Sequence, residues 1–176
     1  MKTILLFVVV TVIAFVSALA FRLGVFTDVD VKVAEEGPYK MVYKHHVGAY
    51  HKIITAIEEV EKWARANGEP CTISFGEYLD DPKSADEDRL NSNGGCVVTK
   101  EWTTGLPEGL AYRELPRRQF VVAKFSGAPS IGPYKVYPAA RETMQSARLV
   151  PDGPVVEMYE ILPGSKMSST YLFPAK

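Results

Sequence analysis

Glu157 and Tyr159 are the residues whose types and spacing best suit a binding site. They lie in the segment VVEMYEIL, residues 155–162, which predicts a β-strand. Residues two apart on a strand point to the same side, so Val155, Glu157 and Tyr159 share one face. A carboxylate with these neighbours is partly desolvated, and this strengthens its attraction for a cationic ligand. The alternative is that Glu157 points to solvent or pairs with a lysine.

Aromatic residues on the same side would complete a π-rich wall for a flat or cationic ligand. Ordinary packing in the core is the alternative for each of them. The predicted ligand-binding residues are Glu157, Tyr159, Tyr78, Tyr50, Tyr43 and Trp102.

The sequence gives little indication of a metal site, a catalytic site or a nucleic-acid-binding surface. His45 and His46 are adjacent on a predicted strand and have no third ligand with metal-site spacing, so we predict no metal and no cofactor. No Ser/His/Asp or Cys/His set is evident, so no catalytic residue is assigned. The chain has 20 basic and 21 acidic residues and no evident basic face, which argues against a nucleic-acid partner. Cys71 and Cys96, the only cysteines, are either two buried thiols or one disulfide.

An apolar segment precedes the part of the chain that holds these residues. Residues 3–21 contain no charged side chain, with Lys2 before them and Arg22 after them. A run of this length can cross a bilayer as one helix. The small-x-small sequence at residues 18–20 leaves cleavage as a signal peptide open, and the protein would then be secreted. The two flanking charges nearly balance, so the topology stays open.

The rest of the chain predicts short strands and two helices. Residues 50–67 form the clearest amphipathic helix, with Ile53, Ile57, Val60 and Ala64 on its apolar face. A second helix is expected to begin with Pro138 at its N1 position, since proline is tolerated there. Residues 80–95 are polar and predict a long exposed loop. The predicted strands are 29–33, 39–46, 71–79, 96–102, 110–115, 118–125, 155–162 and 170–173.

The two halves of this region follow the same order: strand, glycine, helix, strand, strand. Glu77 and Tyr78 in the first half are expected to correspond to Glu157 and Tyr159 in the second. We therefore predict an α+β fold, in which tandem βαββ repeats form an antiparallel sheet with helices on one face. The more apolar face of strand 155–162, with Val156 and Met158, is expected to pack on the helices. Glu157 then lies on the opposite, concave face, which forms the ligand cleft.

Several segments, taken in order, resemble the GyrI-like small-molecule-binding domains, which are duplicated βαββ modules. The segments are HHVGAY, EYLDDP, LPRRQFVVAKFSG and GPVVEMYEIL, and the resemblance runs over about Asp28–Pro174. It implies that Glu157 occupies the strand position where related effector-binding domains place a glutamate that meets lipophilic cations. Some GyrI-like proteins resemble hydrolases of strained cyclopropane compounds. This implies an alternative in which Glu157 acts with Tyr78 or Tyr159.

The apolar segment, VYKHHVGAY, the D-D-P loop and VYPAARETMQ together are similar to the testis-expressed autophagy receptors of the endoplasmic reticulum. This resemblance implies a single-pass membrane protein of that compartment. Receptors of that group carry a long tail that binds autophagy modifiers, and we expect no such tail after Lys176. We predict a hydrophobic anchor over 1–22, a short linker and first strand over 23–38, and a ligand-binding or interaction domain over 39–174. The protein partner is left unassigned.

Overall fold

In the part of the chain that the structure describes, a long N-terminal helix is followed by eight strands and two shorter helices. The structure, a computed structural model, describes residues 2–162 and 166–176. A 3₁₀ turn, Tyr50–Ile53, leads directly into the second helix, and another, Glu87–Arg89, precedes the fourth strand. The elements are α1 (Lys2–Leu23), β1 (Asp30–Glu36), β2 (Tyr39–Val47), α2 (Ile54–Ala66), β3 (Ile73–Tyr78), β4 (Asn91–Val97), β5 (Leu110–Leu115), β6 (Arg118–Ser126), α3 (Gly132–Ser146), β7 (Val155–Leu162) and β8 (Lys166–Pro174).

The eight strands form one sheet in the order β1-β6-β8-β7-β3-β4-β2-β5, and every pairing is antiparallel. The β7–β3 pair joins two halves, each built from a βαββ unit. The remaining strands are exchanged: β1 precedes the first unit but pairs with β6, and β5 precedes the second unit but pairs with β2. The predicted α+β fold with tandem βαββ repeats is confirmed.

The sheet curls until its two edges meet. Only Gly37 and Pro38 separate β1 from β2, although these strands stand six positions apart in the sheet order. In a flat sheet that separation would be about 29 Å, whereas the connection spans at most about 11 Å. The connection between β5 and β6 is equally short, and the two lie against each other: a Cβ on Gly37 would be 3.2 Å from the Cα of Arg117.

The concave side of the curled sheet is a core of its own. A single apolar cluster joins strands from the middle and from both edges, which is possible only inside the curl. The expectation that the face of Val156 and Met158 packs on the helices is wrong, because both belong to this inner cluster. A concave surface buries its side chains against one another and needs no helix. The buried members are Met41, Phe75, Leu115, Phe120, Val122, Val156, Met158 and Leu172.

The helices α2 and α3 cover the convex side, one on each half. The prediction for α2 is confirmed, since Ile53, Ile57, Val60 and Ala64 are all buried. In α3 the corresponding stripe is Val136, Ala140 and Met144. The expected start of α3 at Pro138 is wrong, because the helix begins at Gly132 with Pro133 in its first turn and continues through Pro138. Proline at the earlier position needs no hydrogen-bond donor, while Pro138 is exposed inside the helix.

The predicted exposed loop over 80–95 is wrong for its last residues, which form most of β4. Residues 92–96 are buried. The glycines that indicated a turn are there because neighbouring groups leave no room for a side chain. A Cβ on Gly94 would lie 2.9 Å from a side-chain carbon of Ile57, and one on Gly95 would overlap the backbone of Val42.

Cys71 and Cys96 form a disulfide across 25 residues, which decides between the two alternatives that the sequence left open. The bridge fastens the segment before β3 to β4, beneath α2. Cys96 occupies the position in the first half that matches Phe173 in the second half. The first half therefore has a disulfide where the second half has an aromatic ring in its helix-facing core.

The pairing register corrects how the two halves match. Glu77 and Glu157 are not equivalent, because Glu77 points to the concave side and Glu157 points toward the helices. The residue that matches Glu157 is Gly76. The matching cross-strand pairs are Tyr78–Ser92 with Tyr159–Ser169, and two residues earlier Gly76–Gly94 with Glu157–Tyr171.

Candidate functional site

Glu157 lies in the middle of β7 and is buried under α3, with only 4% of its surface exposed. The Tyr137 hydroxyl, from α3, donates a hydrogen bond to its Oε1 at 2.9 Å, and the Tyr159 hydroxyl donates to its Oε2 at 2.8 Å. Within the described residues, no basic side chain reaches salt-bridge distance of this carboxylate. Glu157 is therefore a buried carboxylate held by hydroxyl groups alone.

Further tyrosines extend the hydroxyl network. Because the proton of Tyr159 goes to Glu157, the Tyr78 hydroxyl donates to the Tyr159 oxygen, at 3.4 Å. The Tyr50 ring meets the Tyr78 ring edge to face, with centroids 4.7 Å apart. Tyr50 also donates from its hydroxyl to the Asp80 carbonyl at 2.6 Å, which fixes its ring at the start of α2. Aromatic surface thus runs from α2 to the Glu157 carboxylate.

Tyr171 completes the cluster from β8, directly opposite Glu157. The ring is fully buried, and its hydroxyl makes no hydrogen bond of acceptable geometry with any described residue. It is pressed against the first turn of α3, where a Cβ on Gly132 would overlap the hydroxyl. The Ser169 hydroxyl, on the same strand and face, is likewise buried and has no hydrogen-bond partner among the described residues. The site therefore holds polar groups that the described residues leave unsatisfied.

Burial raises the pKa of Glu157 above its usual range, while the hydrogen bonds from Tyr159 and Tyr137 oppose this by favouring the ionised form. Burial and then the Glu157 charge raise the pKa of Tyr78, Tyr137, Tyr159 and Tyr171. The tyrosines consequently keep their protons at neutral pH and act as donors. The carboxylate obtains no positive charge from them.

The arrangement of two βαββ units around a buried site has a match among known families. The model of the GyrI-like small molecule binding domain matches residues 30–173. The chain belongs to this family.

Solved structures share the GyrI-like fold at low sequence identity. The C-terminal domain of EcmrR superposes with a TM-score of 0.67 at 14% identity, covering 84% of this chain and 98% of that domain. Against EcmrR in its complex with DNA, the match covers 84% of this chain but 57% of that chain, with a TM-score of 0.66 at 13% identity. No curated protein matches this chain.

Two further GyrI-like structures cover 84% of this chain. A hydrolase encoded by lin2189 from Listeria innocua matches with a TM-score of 0.54 at 11% identity over 92% of its own chain. SAV2435 bound to tetraphenylphosphonium matches with a TM-score of 0.51 at 10% identity over 94% of its chain. Identities this low show the fold and leave the ligand of this GyrI-like domain open.

The GyrI-like domain brings four of the six predicted site residues together: Glu157, Tyr159, Tyr78 and Tyr50. The other two lie elsewhere. Tyr43 belongs to the concave core, 5.9 Å beneath the Arg113 guanidinium. Trp102 packs against Trp63 with centroids 4.8 Å apart and donates to the buried Glu69 at 3.0 Å.

Sequence reasoning missed two residues of the cluster, Tyr137 and Tyr171. Tyr137 was hidden because the helix was expected to begin one residue later. Tyr171 was within a predicted strand, but alternation along a strand does not say which of the two sheet faces its side chain points to. The strand register opposite Glu157 decides between them, and this register becomes visible only when β7 and β8 are paired.

The site is closed in this structure. A pocket of about 180 Å³ adjoins Tyr137 and is also lined by Val155 and Phe173. Ligand pockets for drug-sized molecules are larger, about 300–1,000 Å³. A bulky ligand therefore has to displace α3 or its tyrosine before it reaches Glu157.

Proposed function

We propose that this chain is a membrane-attached GyrI-like module that binds lipophilic cations at Glu157. The observation that carries the proposal is a carboxylate buried to 4% exposure whose described partners are tyrosine hydroxyls. Burying a carboxylate without a counter-charge is costly. A cationic ligand supplies the charge that the site lacks and recovers much of this cost.

The aromatic surroundings favour a cation that is also apolar. Rings of Tyr78, Tyr137 and Tyr159 surround the carboxylate, and cations are attracted to aromatic faces. SAV2435, which shares the fold, was solved with tetraphenylphosphonium, a cation of this kind. That complex supports the choice of ligand class, and the contacts of Glu157 support the choice of residue.

Binding of tetraphenylphosphonium to the full-length chain in detergent micelles tests this proposal. Glu157→Gln keeps the shape of the side chain and removes its charge, so affinity should fall by about 1.5–3 kcal/mol, roughly 10- to 150-fold. The matched control is Glu160→Gln, which removes an exposed charge three residues farther along β7 and should leave the affinity unchanged. Tetraphenylborate, an anion of similar shape, should not bind. Equal affinities of wild type and Glu157→Gln would contradict the role of Glu157.

Membrane attachment rests on α1. This helix of 22 residues is long and apolar enough to cross a bilayer, a property that a signal sequence shares. The proposal takes α1 as a retained span, so the purified protein should begin near Met1 and resist alkaline extraction from membranes. A mature N-terminus at Phe21 would show that the segment is a cleaved signal.

The finer expectations from sequence resemblance are not part of this proposal. An endoplasmic-reticulum location and a link to autophagy receptors have no support in the comparisons, in which no curated protein matches. Hydrolysis by Glu157 with Tyr78 or Tyr159 is not favoured either, because the likeness to a hydrolase at 11% identity shows the fold alone.

A further inference from the structure

The chain that leaves α1 is packed against the GyrI-like domain. The Leu23 carbonyl accepts a hydrogen bond from the Ala128 amide at 3.0 Å, between β6 and α3. Beside this bond the two backbones touch, since a Cβ on Gly24 would lie 2.9 Å from the Cα of Gly127. This close contact joins the end of the apolar helix directly to the domain.

A lysine from α3 secures the same segment. The Lys135 ammonium donates to the carbonyl of Val25 at 2.7 Å and also to that of Thr27. Its charge lies 5.8 Å from the centre of the Phe125 ring, at the end of β6. The end of α1 is thus held by the β6–α3 connection and by the first turns of α3.

Two large side chains beside these contacts point into solvent. Phe26 lies between the two carbonyls that bind Lys135, and 70% of its surface is exposed. Tyr134, next to Lys135 in α3, is 82% exposed. Tyrosine and tryptophan are enriched where a membrane meets water, because their rings have an apolar body and a polar tip, and phenylalanine is among the residues that interfacial helices bury at the boundary between headgroups and acyl chains.

We propose that Phe26, Tyr134 and the first turn of α3 lie in the headgroup layer of the bilayer and hold the domain on the membrane in one orientation. This rests on the membrane span proposed above. A helix of 22 residues is about 33 Å long, close to the thickness of the hydrocarbon core, so its end at Leu23 lies at the membrane surface. Groups that hydrogen-bond to residues 23–27 must lie at the same level.

The orientation distinguishes the two helices of the domain. α3 supplies Tyr137 to the site and begins at the membrane. It follows Ser126 at the end of β6, and Ser126 and Glu160 both pair with Ser168, so α3 begins beside the end of β7. α2 begins beside the start of β7, at the other end of the sheet. The buried residues of α2 and α3 superpose with a constant offset, so that Val60 matches Ala140. With the same offset, Ile54 of α2 occupies the position of Tyr134 in α3. Ile54 is also exposed, at 52%.

Tryptophan fluorescence in the full-length chain tests the proposal, with Tyr134→Trp and Ile54→Trp as matched variants. Each protein is reconstituted into nanodiscs of phosphatidylcholine, with or without bromine in the acyl chains. Wild type provides the background from Trp63 and Trp102. Bromine should quench most of the added emission of Tyr134→Trp and leave that of Ile54→Trp unchanged. Equal quenching of the two variants, or none in either, overturns the proposal.

Loss of the Lys135 contacts gives a second readout. Lys135→Met, made in the Tyr134→Trp background, keeps the length of the side chain and deletes its donors, so quenching should decrease. Unchanged quenching would show that Lys135 does not hold the domain on the membrane. If the chain fails to enter nanodiscs at all, the span itself is refuted. Ligand binding at Glu157 is measured separately in micelles, so a failure of the orientation and a failure of ligand binding are distinguishable.

Discussion

Beneath α2 and α3, matching cross-strand pairs of the two half-sheets carry very different residues. In the first half Gly76 faces Gly94, whereas in the second half Glu157 faces Tyr171. A Cβ on Gly94 would come within about 3 Å of side-chain carbons of Ile57 and Ile53, so α2 fills the space above the glycines with apolar groups. The same framework thus makes a sealed core in one half and a polar cluster in the other.

The two buried glutamates of the central strands show the same contrast on opposite faces. Glu77, on the concave side, is ion-paired with Arg113 at 2.6 Å and accepts a hydrogen bond from Asn93 at 2.8 Å. Glu157, on the helix side, has tyrosine hydroxyls instead. Glu77 therefore has its counter-charge inside the structure, while Glu157 has none among the described residues.

The largest effect is expected where α2 seals the first half. Ile57→Ala removes a side chain that is 4% exposed and leaves a cavity above Gly94, so the free energy of unfolding should fall by about 2–5 kcal/mol. Affinity for tetraphenylphosphonium should stay unchanged when the folded fraction is taken into account. Denaturant unfolding and ligand titration of the same protein check both parts. Unchanged stability would mean that α2 packs by another face.

Replacing each buried glutamate by glutamine compares the two directly. Glu77→Gln leaves Arg113 without its partner and should lower the free energy of unfolding by about 2–4 kcal/mol, because Arg113 is one-third exposed and recovers some hydration. Glu157→Gln should change stability little or increase it, since it removes an uncompensated buried charge. Denaturant titrations of both variants decide. Equal losses would show that Glu157 has a structural role like that of Glu77.

The pH dependence of binding sharpens the comparison further. Because burial raises the pKa of Glu157, the carboxyl takes up a proton at a higher pH than an ordinary glutamate and then loses its attraction for a cation. Affinity should fall about tenfold per pH unit below that pKa. Stability should change in the opposite sense: the contribution of this group is present at low pH and is lost as pH rises through the raised pKa.

Titrations of tetraphenylphosphonium from about pH 4 to about pH 8 measure this, with Glu157→Gln as the control that lacks the titrating group. The wild-type affinity should be lower at the acid end, and the variant should show a flat profile. A profile that is the same in both proteins would assign the pH dependence to other groups.

Much of this fold follows from local patterns in the sequence. The apolar stripe of α2, the alternation in β7 and the repeated strand–helix order are properties of short segments. The curl of the sheet depends instead on the exchange of β1 and β5 between halves. The curl buries Val156 and Met158 on the concave side, so the more apolar face of β7 lies on the side of the sheet opposite the helices. Apolar alternation alone identifies a buried face and leaves open what covers it.

The site was also predictable only where it depends on a single strand. Glu157 and Tyr159 stood out because a carboxylate and an aromatic residue share a strand face, and both lie in the cluster. Tyr43 was expected there as part of an aromatic wall, but strand order and parity place it on the concave side. Tyr137 and Tyr171 reach Glu157 from α3 and β8 through contacts that are distant in the chain. Such contacts require the register, which the sequence does not display.

The smallest expected effect concerns the helix that covers the site. Tyr137 donates to Glu157 at 2.9 Å, and in the closed site this bond must break when a bulky cation enters. Tyr137→Phe removes one donor from the free protein, so the carboxylate gains more from a cation and the closed state is weaker. Affinity for tetraphenylphosphonium should rise by about 0.5–1.5 kcal/mol, roughly 2- to 10-fold. Tyr134→Phe, which removes an exposed hydroxyl from the same helix, should have no effect. A fall in affinity for Tyr137→Phe would show that the Tyr137 bond persists in the complex, so that α3 stays in place while the ligand binds.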